Sequence, residues 1–389
     1  MMRILHRWPG LVLSALLFVT ALSGSALALF PAMEAFQSPQ ANAELSVATL
    51  AARVQQTHPG LEQIKRAPSG QITAWWFHGD EPGSAIIDPA TGQNVAPADP
   101  DPQRRWLTNL HRSLFMGDAG RLAAAAGALV MLILALSGAV LVARRAGGWR
   151  HWFARLQGPL AGRLHTEVAR VAVFGLVFSS ATALWMSAET FEVVAVDPPS
   201  LEMPVQVSGR TGLALQEMQA LELIPVTQLR ELSLADPADE QDVLTIKTDR
   251  GMGYVDQGTG TLLAWQDPSV GQQASEMIKM LHTGQGAAVL GLILGLMALG
   301  VPVMVVTGIL VWAGAVRARP RLKGNSPAAQ AETIVLVGSE GGSTWGFAAT
   351  LASALREAGQ SVHVAPMSAF APTRYRKAQR LLILAATYG

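Results

Sequence analysis

The sequence predicts a membrane α-helical protein with four transmembrane helices built from a duplicated unit. Two small α+β modules are expected outside the bilayer, and part of an α/β domain at the C-terminal end. Three observations predict this. Four apolar stretches are each long enough to cross a bilayer, which takes roughly 20 residues. Two polar segments between them repeat a helix-then-strands pattern and a turn motif. The last segment opens on a continuous apolar strand followed by a Gly/Ser/Thr loop. Half of the 389 residues are hydrophobic and 15% are charged, a low charge fraction for a soluble protein. The net charge is only +1, and no nucleic-acid partner is expected. The chain has no cysteine, which excludes disulfides, thiolate iron–sulfur clusters, thioether-attached haem and Cys-ligated zinc. Metal chemistry must therefore use His, carboxylates or a bound cofactor.

Span 1, about 11–30 within segment 1–36, follows Arg3 and Arg7. Its basic start and the "ALA" at 26–28 are also the pattern of a secretory signal. The apolar run is long for a signal core, which favours a retained anchor. A polar module, 37–105, comes next. "ELSVATLAARVQQTHPG" has helical periodicity, and "QITAWWFHG" and "SAIIDPATGQNVAP" read as strands with a turn. Span 2, about 122–142 within 106–145, leads to a basic loop, 146–163, with Arg144, Arg145, Arg150, Arg155 and Arg163 on this side. Span 3, about 171–190 within 164–190, precedes the second polar module, 191–280. There "TGLALQEMQAL" reads as a helix, and "DVLTIKT" and "GMGYVDQGTGTLLAW" as strands. Span 4 is about 287–316 within 281–317; Arg317, Arg319, Arg321 and Lys323 follow it. The basic residues put both termini on the cytoplasmic side. Arg104, Arg105, Arg112 and Arg121 run against that rule on the outer side.

The turns of the two modules match: Asp88-Pro89-Ala90-Thr91-Gly92 against Asp256-Gln257-Gly258-Thr259-Gly260. Asp and Thr suit a turn and Gly takes its positive φ. The chain thus repeats span, outer module, span, with both copies running the same way, and a pseudo-twofold axis along the membrane normal follows.

Within this frame a dipeptide recurs. Leu5-His6, Leu110-His111, Leu164-His165 and Leu281-His282 each stand at or just before an apolar run, and Leu-His occurs nowhere else. The twofold relates His6 to His165 at the cytoplasmic face and His111 to His282 at the outer face. An imidazole pair across a helical bundle is an axial ligand set for haem. Two such haems, one per face, would relay electrons across a layer roughly 30 Å thick. The alternative is that these histidines are interfacial side chains reaching for head groups. Ser23-Gly24, Ser137-Gly138 and Thr307-Gly308 let helices approach closely or make room for a porphyrin. Arg112, beside His111, could pair with haem propionates. His58, His78, His151 and His363 lack this context and are expected to be bystanders.

After a linker, 318–331, the segment 332–389 reads strand, loop, helix, strand. The run 334–337 suits a buried parallel strand. The loop Gly338-Ser339-Glu340-Gly341-Gly342-Ser343-Thr344 offers N–H groups and hydroxyls before a helix that begins near Trp345, which suits a phosphate. A second strand ends in Thr387-Tyr388-Gly389. A doubly wound domain needs on the order of 100–150 residues, so the domain is expected to continue beyond Gly389.

The membrane part resembles the PepSY-associated transmembrane family, whose spans open on a Leu-His pattern and whose modules carry "DPATG"-like turns. Residues 332–389 resemble the first part of a flavodoxin-type FMN domain. "GSEGGST" is similar to its phosphate loop, with Gly341 where that family usually has Thr, so that Ser343 and Thr344 must supply hydroxyls. "AATYG" is similar to its second flavin loop. The whole resembles bacterial inner-membrane flavocytochrome reductases, including siderophore-iron reductases and fused sulfite reductase flavoprotein subunits. That resemblance implies two b-type haems on His6, His165, His111 and His282. It implies FMN held by residues 339–344 with Thr387, Tyr388 and Gly389, and an FAD/NADPH reductase module following. The implied acceptor is periplasmic, a ferric siderophore or other ferric chelate. The rival expectation is a non-enzymatic envelope protein that binds and inhibits peptidases. A transporter is disfavoured because no span has the buried carboxylate that ion coupling uses.

Overall fold

The computed structural model describes residues 2–196, 201–317, 322, 324–339 and 343–385, with the side chain of residue 343 left aside. The chain divides into two compact units, Met1–Arg155 with Thr166–Val303, and Leu156–His165 with Met304–Gly389. Among the described residues, four helical stretches are long and apolar enough to cross a membrane: Ser14–Gln37, Gly117–Ala146, Leu160–Thr190 and Ala288–Arg317.

The first stretch is preceded by α1 (Met2–Val12) and consists of α2 (Ser14–Leu27) and α3 (Leu29–Gln37). The break at Ala28 comes just before Pro31, which has no N–H to give to the carbonyl of Leu27. A module follows, with α4 (Val47–Thr57), β1 (Leu61–Arg66), β2 (Ile72–His78), β3 (Glu81–Ile87) and β4 (Asn94–Pro97). The Ser46 side chain accepts from the Thr49 N–H and starts α4. The helix buries Val47, Leu50, Ala51 and Val54 completely. Next come α5 (Pro102–Ser113), α6 (Gly117–Ala146) and α7 (Leu160–Thr190). The second module holds α8 (Gln219–Glu222), β5 (Leu229–Ser233), β6 (Val243–Thr248), β7 (Gly251–Asp256) and β8 (Leu262–Gln266). The last helices of the membrane part are α9 (Val270–Thr283), α10 (Ala288–Ala298) and α11 (Gly300–Arg317). Pro302 makes the small break between α10 and α11 in the same way as Pro31.

The two modules are one layer. Their strands form a single eight-stranded sheet in the order β4-β3-β2-β1-β5-β6-β7-β8. The seam is the antiparallel pair β1 and β5, with Gln63 opposite Ser233, Ile64 opposite Leu232 and Lys65 opposite Glu231. Equivalent strands of the two copies meet there. One hydrophobic core serves both halves, with Leu50, Ile64 and Ile87 from the first and Leu221, Leu232 and Ile246 from the second.

One expectation needs correction, and the seam strands β1 and β5 are not legible as strands in the sequence. Each buries residues three apart, Leu61 with Ile64 and Leu229 with Leu232, because each carries a bulge at its first residues. The bulge destroys the period-2 signal. The helix expected over "TGLALQEMQAL" is only a 3-10 turn at Leu215–Glu217 followed by the four-residue α8. Met218 between them is extended, and the Ala220 N–H donates to the Gly260 carbonyl instead of a helical partner.

The turns hold as expected. Asp88 accepts from the Ala90 N–H and the Thr91 hydroxyl, and Gly92 takes φ +75°. Asp256 accepts from the N–H groups of Gly258 and Thr259, and Gly260 takes φ +67°.

In the second unit, β9 (Thr333–Gly338), α12 (Ser343–Glu357), β10 (Val362–Pro366) and β11 (Arg380–Ala385) form a three-stranded parallel sheet in the order β10-β9-β11 with α12 packed on it. Central β9 is buried along five of its six residues, as a strand covered on both faces must be.

Candidate functional site

His111 and His282 stand on short helices that precede the spans, not on the spans themselves. His111 lies in the last turn of α5, whose N-cap is Asp101. Residues 114–116 then reverse the chain, with Leu114 and Phe115 at positive φ. Gly120 of α6 sits directly against the Ser113 carbonyl, so the reversal leaves no room for a side chain there. His282 lies in the last turn of α9, which begins with a Ser269/Gln272 capping box and ends at Gly284, φ +73°. A Cβ on Gly284 would lie 2.8 Å from the Cα of Gly291, so the α9–α10 turn is equally tight.

Each of the four histidines is held by the partner helix of its own repeat. His111 Nδ1 lies 2.9 Å from the Thr20 carbonyl and 3.2 Å from the Ser23 hydroxyl on α2. His6 Nδ1 lies 3.0 Å from the Ser137 hydroxyl on α6, with the Leu134 carbonyl also bonded to the ring. In the second repeat, His165 Nδ1 lies 3.0 Å from the Met304 carbonyl and 3.1 Å from the Thr307 hydroxyl of α11. His282 Nδ1 lies 2.9 Å from the Thr182 hydroxyl of α7, with the Ser179 carbonyl also bonded to the ring. The pattern is identical in all four: a hydroxyl, and the carbonyl three residues before it. A carbonyl only accepts, so at His111 and His165 Nδ1 carries the proton, and a metal would be ligated through Nε2.

The small residues singled out in the sequence are these seats. Ser23-Gly24 holds His111, Ser137-Gly138 holds His6 and Thr307-Gly308 holds His165. A Cβ on Gly24, Gly138 or Gly308 would meet the Cε1 of its histidine at 2.8, 3.1 or 3.4 Å. The fourth seat, Thr182-Ala183, has no glycine and was missed for that reason.

His111 and His282 face each other, with ring centroids 6.4 Å apart and ring planes 37° apart. A metal–imidazole bond of ~2.0–2.1 Å, with the nitrogen roughly 1.1 Å from its ring centroid, puts two trans ligands at roughly 6.3 Å between centroids. Among the described residues no three His, Cys, Asp or Glu side chains gather to hold a bare metal ion. A two-imidazole set fits a metal whose other ligands come with it, as in haem. His6 lies in the first unit and His165 in the second, each seated within its own unit. Ser23 stands 17 residues beyond His6 and Thr182 stands 17 beyond His165. Along α1 and α2 that is ~25 Å, close to the bilayer thickness.

Arg112 is exposed, one residue further round α5 than His111. Arg104, one of the arginines that run against the charge rule, lies two turns before His111 on the same face. Its guanidinium pairs with Glu34 at 2.8 Å, and Ser69 donates to the other Glu34 oxygen at 2.5 Å. The bystander histidines lie elsewhere: His58 stacks on Trp76, His363 bonds the Ser326 carbonyl, and His78 and His151 are exposed.

In the C-terminal unit, Ser339 directly follows β9, and its Oγ is buried with no hydrogen-bond partner among the described residues. Thr344 is buried in the first turn of α12, which Ser343 begins. An orphan hydroxyl beside a helix start fits a phosphate oxygen. Glu340, Gly341, Gly342, Thr387, Tyr388 and Gly389 lie outside the described residues.

The family model described as PepSY-associated TM region matches residues 3–315. The chain belongs to that family. The match takes in all four spans, both halves of the sheet and all four seated histidines of this PepSY-associated chain. No curated protein matches it significantly.

Proposed function

We propose that this protein is a membrane oxidoreductase that passes electrons from a cytoplasmic flavin to an acceptor at the periplasmic face of a bacterial inner membrane. His111 and His282 hold the outer of two b-type haems, and His6 and His165 the inner one. Bound haem supplies one-electron redox chemistry at each level. The chain's own contribution is to present Nε2 of each imidazole, to fix the ring by its Nδ1–H, and to set the two levels ~25 Å apart. Ser339 and Thr344, with residues 340–343, hold the FMN phosphate, and Thr387, Tyr388 and Gly389 line the flavin. An FAD/NADPH module feeds it, and the acceptor class is a ferric chelate. The observation that carries this reading is the outer pair, two rings 6.4 Å apart with both Nδ1 atoms tied back to span helices.

The protein purified in detergent should show a sharp Soret band and an α band that dithionite reduces. His111→Ala or His282→Ala should remove about half of the haem, and His6→Ala or His165→Ala the other half. A featureless wild-type spectrum, or unchanged haem in all four variants, would leave the envelope-regulator reading in its place.

A further inference from the structure

We propose that Ser23 and Thr182 are positioning residues that set the redox preference of the outer haem, and that Ser137 and Thr307 do the same for His6 and His165. The inference rests on the haem reading above. It starts from where each hydroxyl proton goes. Ser23 donates to the Val19 carbonyl at 2.8 Å and the Thr20 carbonyl at 3.1 Å. Thr182 donates to the Phe178 carbonyl at 2.9 Å and the Ser179 carbonyl at 3.0 Å. Each hydroxyl has a single proton, committed to its own helix. Towards the imidazole the oxygen can then only accept. It joins the carbonyl three residues earlier as a second acceptor for the same Nδ1–H.

Two consequences follow. The tautomer is fixed, because a proton moved to Nε2 would leave Nδ1 facing two acceptors with no proton between them. The ring also becomes a stronger ligand, because an acceptor on the outer N–H raises the basicity of the ligating nitrogen. A more basic axial ligand favours the ferric state. The inner seats are built alike: Ser137 donates to the Leu134 carbonyl at 3.2 Å and Thr307 to the Met304 carbonyl at 3.3 Å. These carbonyl bonds are longer than those of the outer hydroxyls, so the outer pair is the place to test the idea. The repeat also supplies the conservative exchange. Serine seats the histidine in the first copy and threonine in the second, so each replaces the other with the hydroxyl kept.

The test is a potentiometric titration of the haem-loaded full chain, followed by optical and low-spin ferric EPR spectra. Removing the outer-shell partner of a metal-ligating histidine typically costs 10–100-fold in metal affinity. Ser23→Ala and Thr182→Val should each raise one of the two midpoint potentials by about tenfold in the ferrous-to-ferric ratio, 59 mV for a one-electron couple. The other potential should stay where it was. Ser23→Thr and Thr182→Ser should keep both potentials. Loss of the outer haem in Ser23→Ala with retention in Ser23→Thr supports the proposal as well. Potentials and spectra unchanged in Ser23→Ala and Thr182→Val, with haem retained, overturn it. Equal loss of haem in the Ala and Thr variants of Ser23 also overturns it, since the hydroxyl would then matter only for packing. A wild type without haem refutes the parent reading instead.

Discussion

At the level of single residues, three of the four histidine seats depend on what a glycine leaves out. The ring of His111 is pressed hardest, with its Cε1 2.8 Å from where a Gly24 Cβ would be. On the proposed haem reading, Gly24→Ala should therefore turn the ring and lower occupancy of the haem held by His111 by about tenfold or more. Gly308→Ala, where the same distance is 3.4 Å, should leave haem content close to wild type. Haem-to-protein ratios from pyridine haemochrome assays give the comparison, and equal losses in both variants would contradict it. The histidines themselves could be picked out from the sequence because a rare dipeptide recurred in register with the spans. Three of their partners stand out in the sequence as hydroxyl-glycine pairs, Ser23-Gly24, Ser137-Gly138 and Thr307-Gly308, but not as partners of the histidines. Nothing local distinguishes Thr182 from Ser180 or Thr190 until the facing helix is in place.

Among the elements, the Asp-Thr-Gly turns were legible because their chemistry is local, and the second one has a measurable signature. Burial by itself raises the pKa of Asp256. The N–H and hydroxyl of Ser208 and of Thr259 outweigh that and hold it at about 2, below the ordinary 3.8. The stabilisation is thus fully present above the unfolded value near ~3.9 and is lost as pH falls through about 2. A shift of this size corresponds to about 2 kcal/mol. Asp256→Asn should lower stability above pH ~4 and flatten the slope between about pH 4 and 2, as read from chemical denaturation of the sheet followed by tryptophan fluorescence. A slope unchanged in the variant would show that the turn carboxylate is not what titrates. The strands at the seam were illegible for a reason that is also local. A single bulged residue at the start of β1 and of β5 shifts the buried positions from every second to every third, which reads as helix or as nothing. For α8, a tertiary hydrogen bond from Ala220 to Gly260 overrides a sequence with helical propensity.

For the molecule as a whole, the repeat predicted two modules, and the chain folds them into one sheet over one core. That union arises from β1 meeting β5, which no single segment encodes. Ile64 and Leu232 are opposite each other at the seam and both fully buried. Ile64→Ala and Leu232→Ala should each cost about 2–5 kcal/mol. They should couple by roughly 0.5–3 kcal/mol in a double-mutant cycle, since they touch across the seam. Either variant should lower the unfolding midpoint of both halves together. Separate transitions for the two halves, or strict additivity, would mean that the modules are independent.

The 17-residue interval between His6 and Ser23 makes the first transmembrane element a ruler with a mark at each end. On the proposed haem reading, one mark is a ligand for the inner level and the other a seat for the ligand of the outer level. His6 must face α6 and Ser23 must face α5 at once. Inserting one alanine between Leu16 and Leu17 turns the marks by ~100° and slides them by ~1.5 Å relative to each other. Whichever end then settles in register, the other is lost. Length itself is thus a specified quantity here, as strictly as any side chain, and a whole-turn change would restore the angle while moving the two levels apart by ~5.4 Å.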